Sequence, residues 1–242
     1  MDWLRGAFFA HRGLHDGNTP ENSLAAFTGA MARGFGMECD VQLTADDEAV
    51  VFHDFSLERM TAQRGAVIGH NLSALERIPL VGGAETIPSL QGLLDLVDGR
   101  LPLLIELKSR RAWPIGRLCW AVQRVLLGYR GPHAVMSFDP RAPAWFARHA
   151  PRTPRGLIVS EEGRKGPRHA VQRHFALWHA RPDFLAYDIR DLPSGFAATQ
   201  RERGIPVASW TVRSPALLAR ADVHADAPIA EGTGIPPAVS VG

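Results

Sequence analysis

The chain has 242 residues, 45% of them hydrophobic, with 27 Lys and Arg against 25 Asp and Glu for a formal net charge of +2. That length can bury one large core, and barrels of alternating strands and helices occupy it as one domain, so residues 1–242 are expected to fold as a single unit. Near-neutral charge argues against nucleic acid as a partner, because the tightest basic stretches, Lys108 to Arg111 and Arg164 to Arg168, are short enough to be solvated surface.

The first β-type run is Ala7 to His11. Ser23 to Arg33 then places Leu24, Phe27 and Met31 at helical spacing, with Asn22 as the expected cap and Gly34 as the stop. Met37 to Leu43 reads as a strand, Thr44 to Glu48 as a turn, and Ala49 to His53 as a third strand. A long insertion, residues 55–87, precedes the helix Ser89 to Val97. Further strands are expected at Pro102 to Lys108, His133 to Phe138, Gly156 to Ser160, Phe184 to Ile189 and Pro206 to Val212. Helical patterns follow them at Trp113 to Leu127, Pro140 to His149, Pro167 to His179, Ser194 to Arg203 and Pro215 to Val223. Strand candidates alternating with helices predict an α/β fold, a TIM (β/α)8 barrel with a small insertion after the third strand.

In such a barrel, chemistry gathers at the carboxyl ends of the strands. His11, Asp40, His53, Glu106, Lys108 and Trp210 all fall at or near those ends although they are scattered through the chain. Glu38 and Asp40, two apart on a strand, face the same way, while Cys39 and Val41 face the other. Together with Glu106 they would put three carboxylates into the barrel mouth, where unrelieved negative charges repel and lose hydration. A divalent cation relieves that, and carboxylates without sulfur or clustered imidazole suit Mg²⁺ or Ca²⁺. The competing reading, ion pairing to Arg12 and Lys108, leaves the acids outnumbering the cations. Asp46, Asp47 and Glu48 are expected to be solvated, Asp54 and Asp139 to cap adjacent turns or helices, and Glu21 and Asn22 to form a turn and a cap. Trp210 either covers a ligand or packs within the barrel. His15, His70, His133, His149, His169, His174, His179 and His224 are read as background, since a lone histidine is more often structural or surface than reactive.

The ordered set HRG (from His11), PENS (from Pro20), E-C-D-V (from Glu38), HD (from His53), LLIELK (from Leu103), SFD (from Ser137) and PVASWTV (from Pro206) resembles the glycerophosphodiester phosphodiesterase family over most of the chain. The resemblance implies that His11 and His53 are the acid/base pair, that Glu38, Asp40 and Glu106 hold the metal, and that Arg12 and Lys108 address the phosphoryl group. It also implies that Trp210 contacts the glycerol part, that the insertion overhangs the site, and that the reaction yields sn-glycerol 3-phosphate and an alcohol from a small-molecule phosphodiester. Three positions depart from the pattern: Ala45-Asp46-Asp47, Arg59-Met60-Thr61, and the HADAPIAEG ending from His224, which suggests a trimmed last βα unit. Two rival readings remain. One is a lysophospholipase D-type enzyme acting on lysophospholipids, favoured if Leu57, Met60, Val67, Ile68, Leu72 and Leu75 form an apolar rim; the other is a non-catalytic phosphate-binding barrel.

Cys39 and Cys119 have neither zinc-site nor disulfide spacing and are expected to be buried thiols in the cytoplasm. The N-terminal MDWLRGAFFAHRG lacks the long apolar region of a secretory signal. No window is a candidate membrane span, since Gln123 and Arg124 interrupt the most apolar one, Leu118 to Tyr129. Oligomeric state is left open.

Overall fold

A computed structural model describes residues 1–110, 113–163 and 166–237; Arg111, Arg164 and Lys165 of the two basic stretches lie outside the described residues. Its elements in chain order are β1 (Phe9–His11), α1 (Leu24–Ala32), β2 (Gly36–Leu43), β3 (Ala49–Val51), α2 (Leu72–Leu75) and α3 (Leu90–Val97). They continue as β4 (Leu103–Leu107), α4 (Ile115–Leu126), β5 (His133–Ser137), α5 (Arg141–His149), β6 (Arg155–Val159) and α6 (Pro167–Ala180). The last are β7 (Phe184–Asp188), α7 (Gly195–Glu202), β8 (Val207–Val212), α8 (Pro215–His224) and β9 (Ala227–Ala230).

Eight parallel strands close into a TIM barrel, as expected, but they are not the eight read from the sequence. The third expected strand, β3, lies outside the ring and pairs antiparallel with the upper end of β2 through Val41–Val51, Gln42–Val50 and Leu43–Ala49. The reason is chain length. The Thr44 to Glu48 turn permits only a hairpin, whereas a parallel neighbour needs a crossover of about a dozen residues or more. The eighth barrel strand is instead β9, which pairs with β1 at Phe9–Ile229 and Ala10–Ala230 and completes the ring. It lies in the segment expected to be trimmed. Alanine and proline are poor strand formers, so Ala227–Ala230 carries little β signal of its own.

Period-two alternation divides the strands between two layers. Met37, Cys39, Val41, Leu103, Ile105 and Leu107 point outward into the helical layer, against Leu90, Leu93 and Leu94 of α3 and Leu118 and Val122 of α4. The lower barrel interior is filled by Phe9, Leu104, Ala134, Met136, Ile158, Phe184, Ala186, Ala208 and Ile229, with Leu4 of an N-terminal turn beneath them. Phe184 fits because position 156 has no side chain: a Cβ on Gly156 would lie 2.3 Å from the Phe184 ring. Residues 55–87 build a satellite core in which Leu57, Val67, Leu75, Leu80 and Ile87 are buried and Met60, Leu72 and Ile78 pack alongside. Leu57, Val67 and Leu75 therefore face inward and form no apolar rim.

Candidate active site

Strand register assembles the site. His11 on β1 lies opposite Glu38 on β2, and Asp40, two residues further, lies opposite Glu106 on β4. The period of two then aims Glu38, Asp40 and Glu106 into the barrel mouth, where ligand oxygens of the three lie within 4.8 Å of one another. All three are almost fully removed from water, at 1%, 1% and 9% exposure.

The surrounding groups neutralise this cluster unequally. Asp40 is held by cations on both sides: Arg12 Nε lies 3.0 Å from Oδ2 as a charge contact, and Lys108 Nζ lies 3.4 Å from Oδ1. Burial alone would raise the Asp40 pKa, but Lys108 and Arg12 outweigh it and hold the carboxyl below its ordinary value. Glu106 has Lys108 Nζ at 2.9 Å. Burial, reinforced by Asp40, nevertheless raises the Glu106 pKa. The same neighbours favour the charged ammonium, so Lys108 rises above its ordinary value despite its own burial. Glu38 has the least help. Its Oε2 accepts from the Arg12 backbone N–H at 3.2 Å, and burial with the charges of Asp40 and Glu106 pushes its pKa well up. Glu38 Oε1 and Asp40 Oδ1 are buried without a hydrogen-bond partner. Buried carboxylate oxygens that gather within 4.8 Å and accept no hydrogen bond, with Asp40 Oδ1 meeting only the Lys108 charge at 3.4 Å, fit a hard divalent cation, so the residues present can hold one.

Local backbone geometry delivers the cations and the amide. Arg12 and Asn22 both adopt left-handed φ, +56° and +58°. Arg12 thereby turns back over the acids and also donates to Glu21 Oε1 at 2.9 Å. Asn22 is not the cap of α1. That role belongs to Ser23, whose hydroxyl accepts from the Ala26 N–H. Asn22 is buried and bridges to β2, donating from Nδ2 to Asp40 Oδ2 at 3.0 Å and accepting from the Asp40 N–H at 3.2 Å. A carboxylate needing a fixed orientation explains Asn22 better than a helix start does.

The two histidines are each oriented by a carboxylate. His11 presents Nε2 toward the acids, 3.8 Å from Glu38 Oε2, while its Nδ1 is bonded to Glu231, the residue that follows β9. Burial lowers the His11 pKa, although the Glu231 hydrogen bond opposes that. Glu231 is held in turn by His15 Nε2 at 3.5 Å and by the Arg213 Nε donor at 2.6 Å. Against its own desolvation, the bonds to His11 and His15 keep the Glu231 carboxyl below the ordinary range. His53 stands just past the end of β3 and joins the cluster through Asp54, Arg59, Glu21 and Arg12 in turn. Its Nδ1 is 2.6 Å from Asp54 Oδ1, and Arg59 clamps Asp54 while also donating to Glu21 Oε1 at 2.6 Å. Asp54 therefore orients His53 rather than capping a turn. Asp139 does cap as expected, accepting from the Arg141 N–H at 3.0 Å.

Trp210, on β8, has its indole N–H committed to the Ala186 carbonyl at 2.9 Å and meets Phe138 edge-on, with ring centroids 5.3 Å apart. With that N–H spent, only the apolar ring is left for a ligand. The structure thus brings His11, Arg12, Glu38, Asp40, His53, Glu106 and Lys108 into one charged network, with Trp210 on a separate strand. Glu231, His15, Asp54 and the bridging role of Asn22 escaped the sequence reading. Glu231 occupies the same end-of-strand position as the other site residues, so recognition of Ala227–Ala230 as a strand is the signal that finds it.

The family described as the glycerophosphoryl diester phosphodiesterase family matches residues 11–229. A glycerophosphodiester phosphodiesterase of Bacillus altitudinis is 39% identical over 111 residues, 43% of this chain and 45% of the relative. That match spans somewhat under half the relative's length, and the same holds for the next two relatives, at 44% and 46%. Among solved structures, the Oleispira antarctica phosphodiesterase in complex with its product sn-glycerol-3-phosphate superposes with a TM-score of 0.81 at 26% identity, covering 93% of both chains. The glycerophosphodiester phosphodiesterase of Thermotoga maritima shares the fold, with a TM-score of 0.74 at 24% identity over 93% of this chain and 94% of that one.

Proposed function

Because this chain belongs to the glycerophosphoryl diester phosphodiesterase family, we propose that it hydrolyses glycerophosphodiesters to sn-glycerol 3-phosphate and an alcohol, with a divalent cation, Mg²⁺ or Ca²⁺, held by Glu38, Asp40 and Glu106. The observation that carries the reading is the buried trio of carboxylates with two oxygens that accept no hydrogen bond, flanked by two carboxylate-oriented imidazoles. The product complex of the Oleispira antarctica relative supports the choice of substrate class.

The cation supplies positive charge for the non-bridging phosphate oxygens as negative charge grows on them. The remaining work belongs to the chain. Arg12 and Lys108, both already facing the carboxylates, offer further positive charge to the phosphoryl group. His11 and His53 act as the general acid/base pair: one withdraws a proton from the nucleophile, either water or the substrate's adjacent hydroxyl, whose cyclic phosphate water then opens, and the other protonates the departing alkoxide. For each ring the carboxylate on Nδ1 favours the tautomer that leaves Nε2 free to exchange a proton with substrate. The apolar ring of Trp210, beside Phe138, covers the glycerol part. The inward packing of Leu57, Val67 and Leu75 favours small water-soluble diesters over lysophospholipids at the mouth. The free buried thiols Cys39 and Cys119 fit a reducing cytoplasm, and among the described residues no helix is long and apolar enough to cross a membrane.

Release of glycerol 3-phosphate from glycerophosphocholine, glycerophosphoethanolamine and glycerophosphoglycerol, measured with and without chelator, tests the proposal. Turnover that chelator abolishes and Mg²⁺ or Ca²⁺ restores is expected. Phosphate binding without hydrolysis of any diester would identify a non-catalytic barrel, and preferential cleavage of lysophosphatidylcholine would move the substrate class to lysophospholipids.

A further inference from the structure

Helix α6 packs Ala176 and Leu177 against the barrel but turns three further large apolar side chains away from it. Among its described residues only Ala180 is buried, whereas Val171, Phe175 and Trp178 are 69%, 63% and 68% exposed. Spacings of four and three put these side chains on one stripe. The stripe is contiguous, with Phe175 5.7 Å from Trp178 and 6.3 Å from the stacked His179, centroid to centroid. Helix α5 packs beside α6, and there the exposed His149 stacks on Trp145, which meets the exposed Trp120 of α4 edge-on at 5.4 Å. Scattered apolar residues on a surface need no explanation; two exposed aromatic groups on neighbouring helices, each joined within itself, do.

The charge carried by the three helices themselves is of one sign. The sequences of α4, α5 and α6 contain no Asp or Glu. Arg117, Arg124, Arg141 and Arg173 are engaged with acids on neighbouring segments, leaving Arg148 and Arg168 exposed beside the aromatic stripe with His149, His174 and His179. A two-fold dimer would set this patch against itself and oppose like charges, so a second copy is a poor occupant. Tryptophan and phenylalanine flanked by arginine on a convex helical surface match the headgroup region of an anionic bilayer, which takes the rings at the interface and pairs the guanidinium groups with phosphate. We propose that the α4–α6 flank, centred on Val171, Phe175 and Trp178, docks the protein on anionic phospholipid membranes. The surface lies outside the catalytic network, and the proposal does not rest on the catalytic reading.

Co-sedimentation of the full chain with phosphatidylcholine vesicles, with and without phosphatidylglycerol, tests this. Binding is expected only with phosphatidylglycerol, weakening steeply with salt. The double variant Phe175→Ser/Trp178→Ser should bind at least about tenfold more weakly, and Arg148→Gln/Arg168→Gln about 30-fold more weakly. Both pairs are exposed, so thermal melts and hydrolysis of soluble diesters should match the parent. Three results would overturn the proposal: no binding to anionic vesicles, equal binding to neutral ones, or a concentration-dependent dimer in analytical ultracentrifugation that the Phe175/Trp178 variant dissolves.

Discussion

A ligand-linked thermal melt probes the acidic cluster most directly. Among the described residues, Glu38, Asp40 and Glu106 face two permanent cations, Arg12 and Lys108, so burial favours the protonated form of the third acid, Glu38, and a bound divalent ion would take the place of that proton. A ligand that binds the folded state alone contributes about 2.7 kcal/mol of stability at one hundred times its Kd. For a chain of this size, that corresponds to a rise in Tm of about 5–11 °C. Differential scanning fluorimetry with Mg²⁺, Ca²⁺ or EDTA reads it. The variant Glu38→Gln separates the two accounts of the cluster. Glu38 has no side-chain cation bonded to it, and Gln is isosteric with the protonated acid that burial favours, so the apo variant should melt at or above the parent temperature and lose most of the metal response. If the cluster were a self-sufficient ion-paired network, the same substitution would break it, at a cost of about 3–5 kcal/mol, and added metal would leave the parent unchanged. That pair of results would refute the reasoning.

Replacing His11 or His53 by alanine should lower kcat for glycerol 3-phosphate release by about 10²–10⁴ each while leaving the melting curve within a few degrees of the parent. Glu231→Gln keeps the side-chain volume but removes the charge that orients His11; kcat should fall about 10–100-fold with KM unchanged, and Glu231→Asp should recover part of the loss. Imidazole ¹⁵N chemical shifts of His11 would register the altered tautomer, and an unchanged kcat in the Gln variant would remove Glu231 from the site. Gly156→Ala, whose Cβ would sit 2.3 Å from the Phe184 ring, should destabilise the barrel by about 1–3 kcal/mol in urea titrations. Wild-type stability for that variant would mean that the barrel interior has room to spare.

Much of the site was legible because its logic is local. Glu38 and Asp40 share a face through the two-residue period of a strand, and the same period couples Glu106 to Lys108, so spacing alone predicts which groups look into the barrel mouth. Other residues were misread because their partners lie across the fold. Asn22 precedes a helix and reads as its cap, yet its amide is spent on Asp40, eighteen residues away, once α1 packs against β2. Asp54 reads as a turn residue for the same reason, although Arg59 and His53 converge on it.

The amino-acid order by itself determined the alternation of strands and helices, the inward or outward aim of each strand residue, and the family motifs from His11 to Val212. Those properties depend on neighbours a few positions away. Tertiary structure alone decided which strands close the ring. A short turn forced Ala49–Val51 into a hairpin outside it, and closure drew the weakly β-forming Ala227–Ala230 into the gap beside β1. That closure places Glu231 on His11 from 220 residues away. A contact of such separation is created by the geometry of the completed barrel, and no local pattern encodes it.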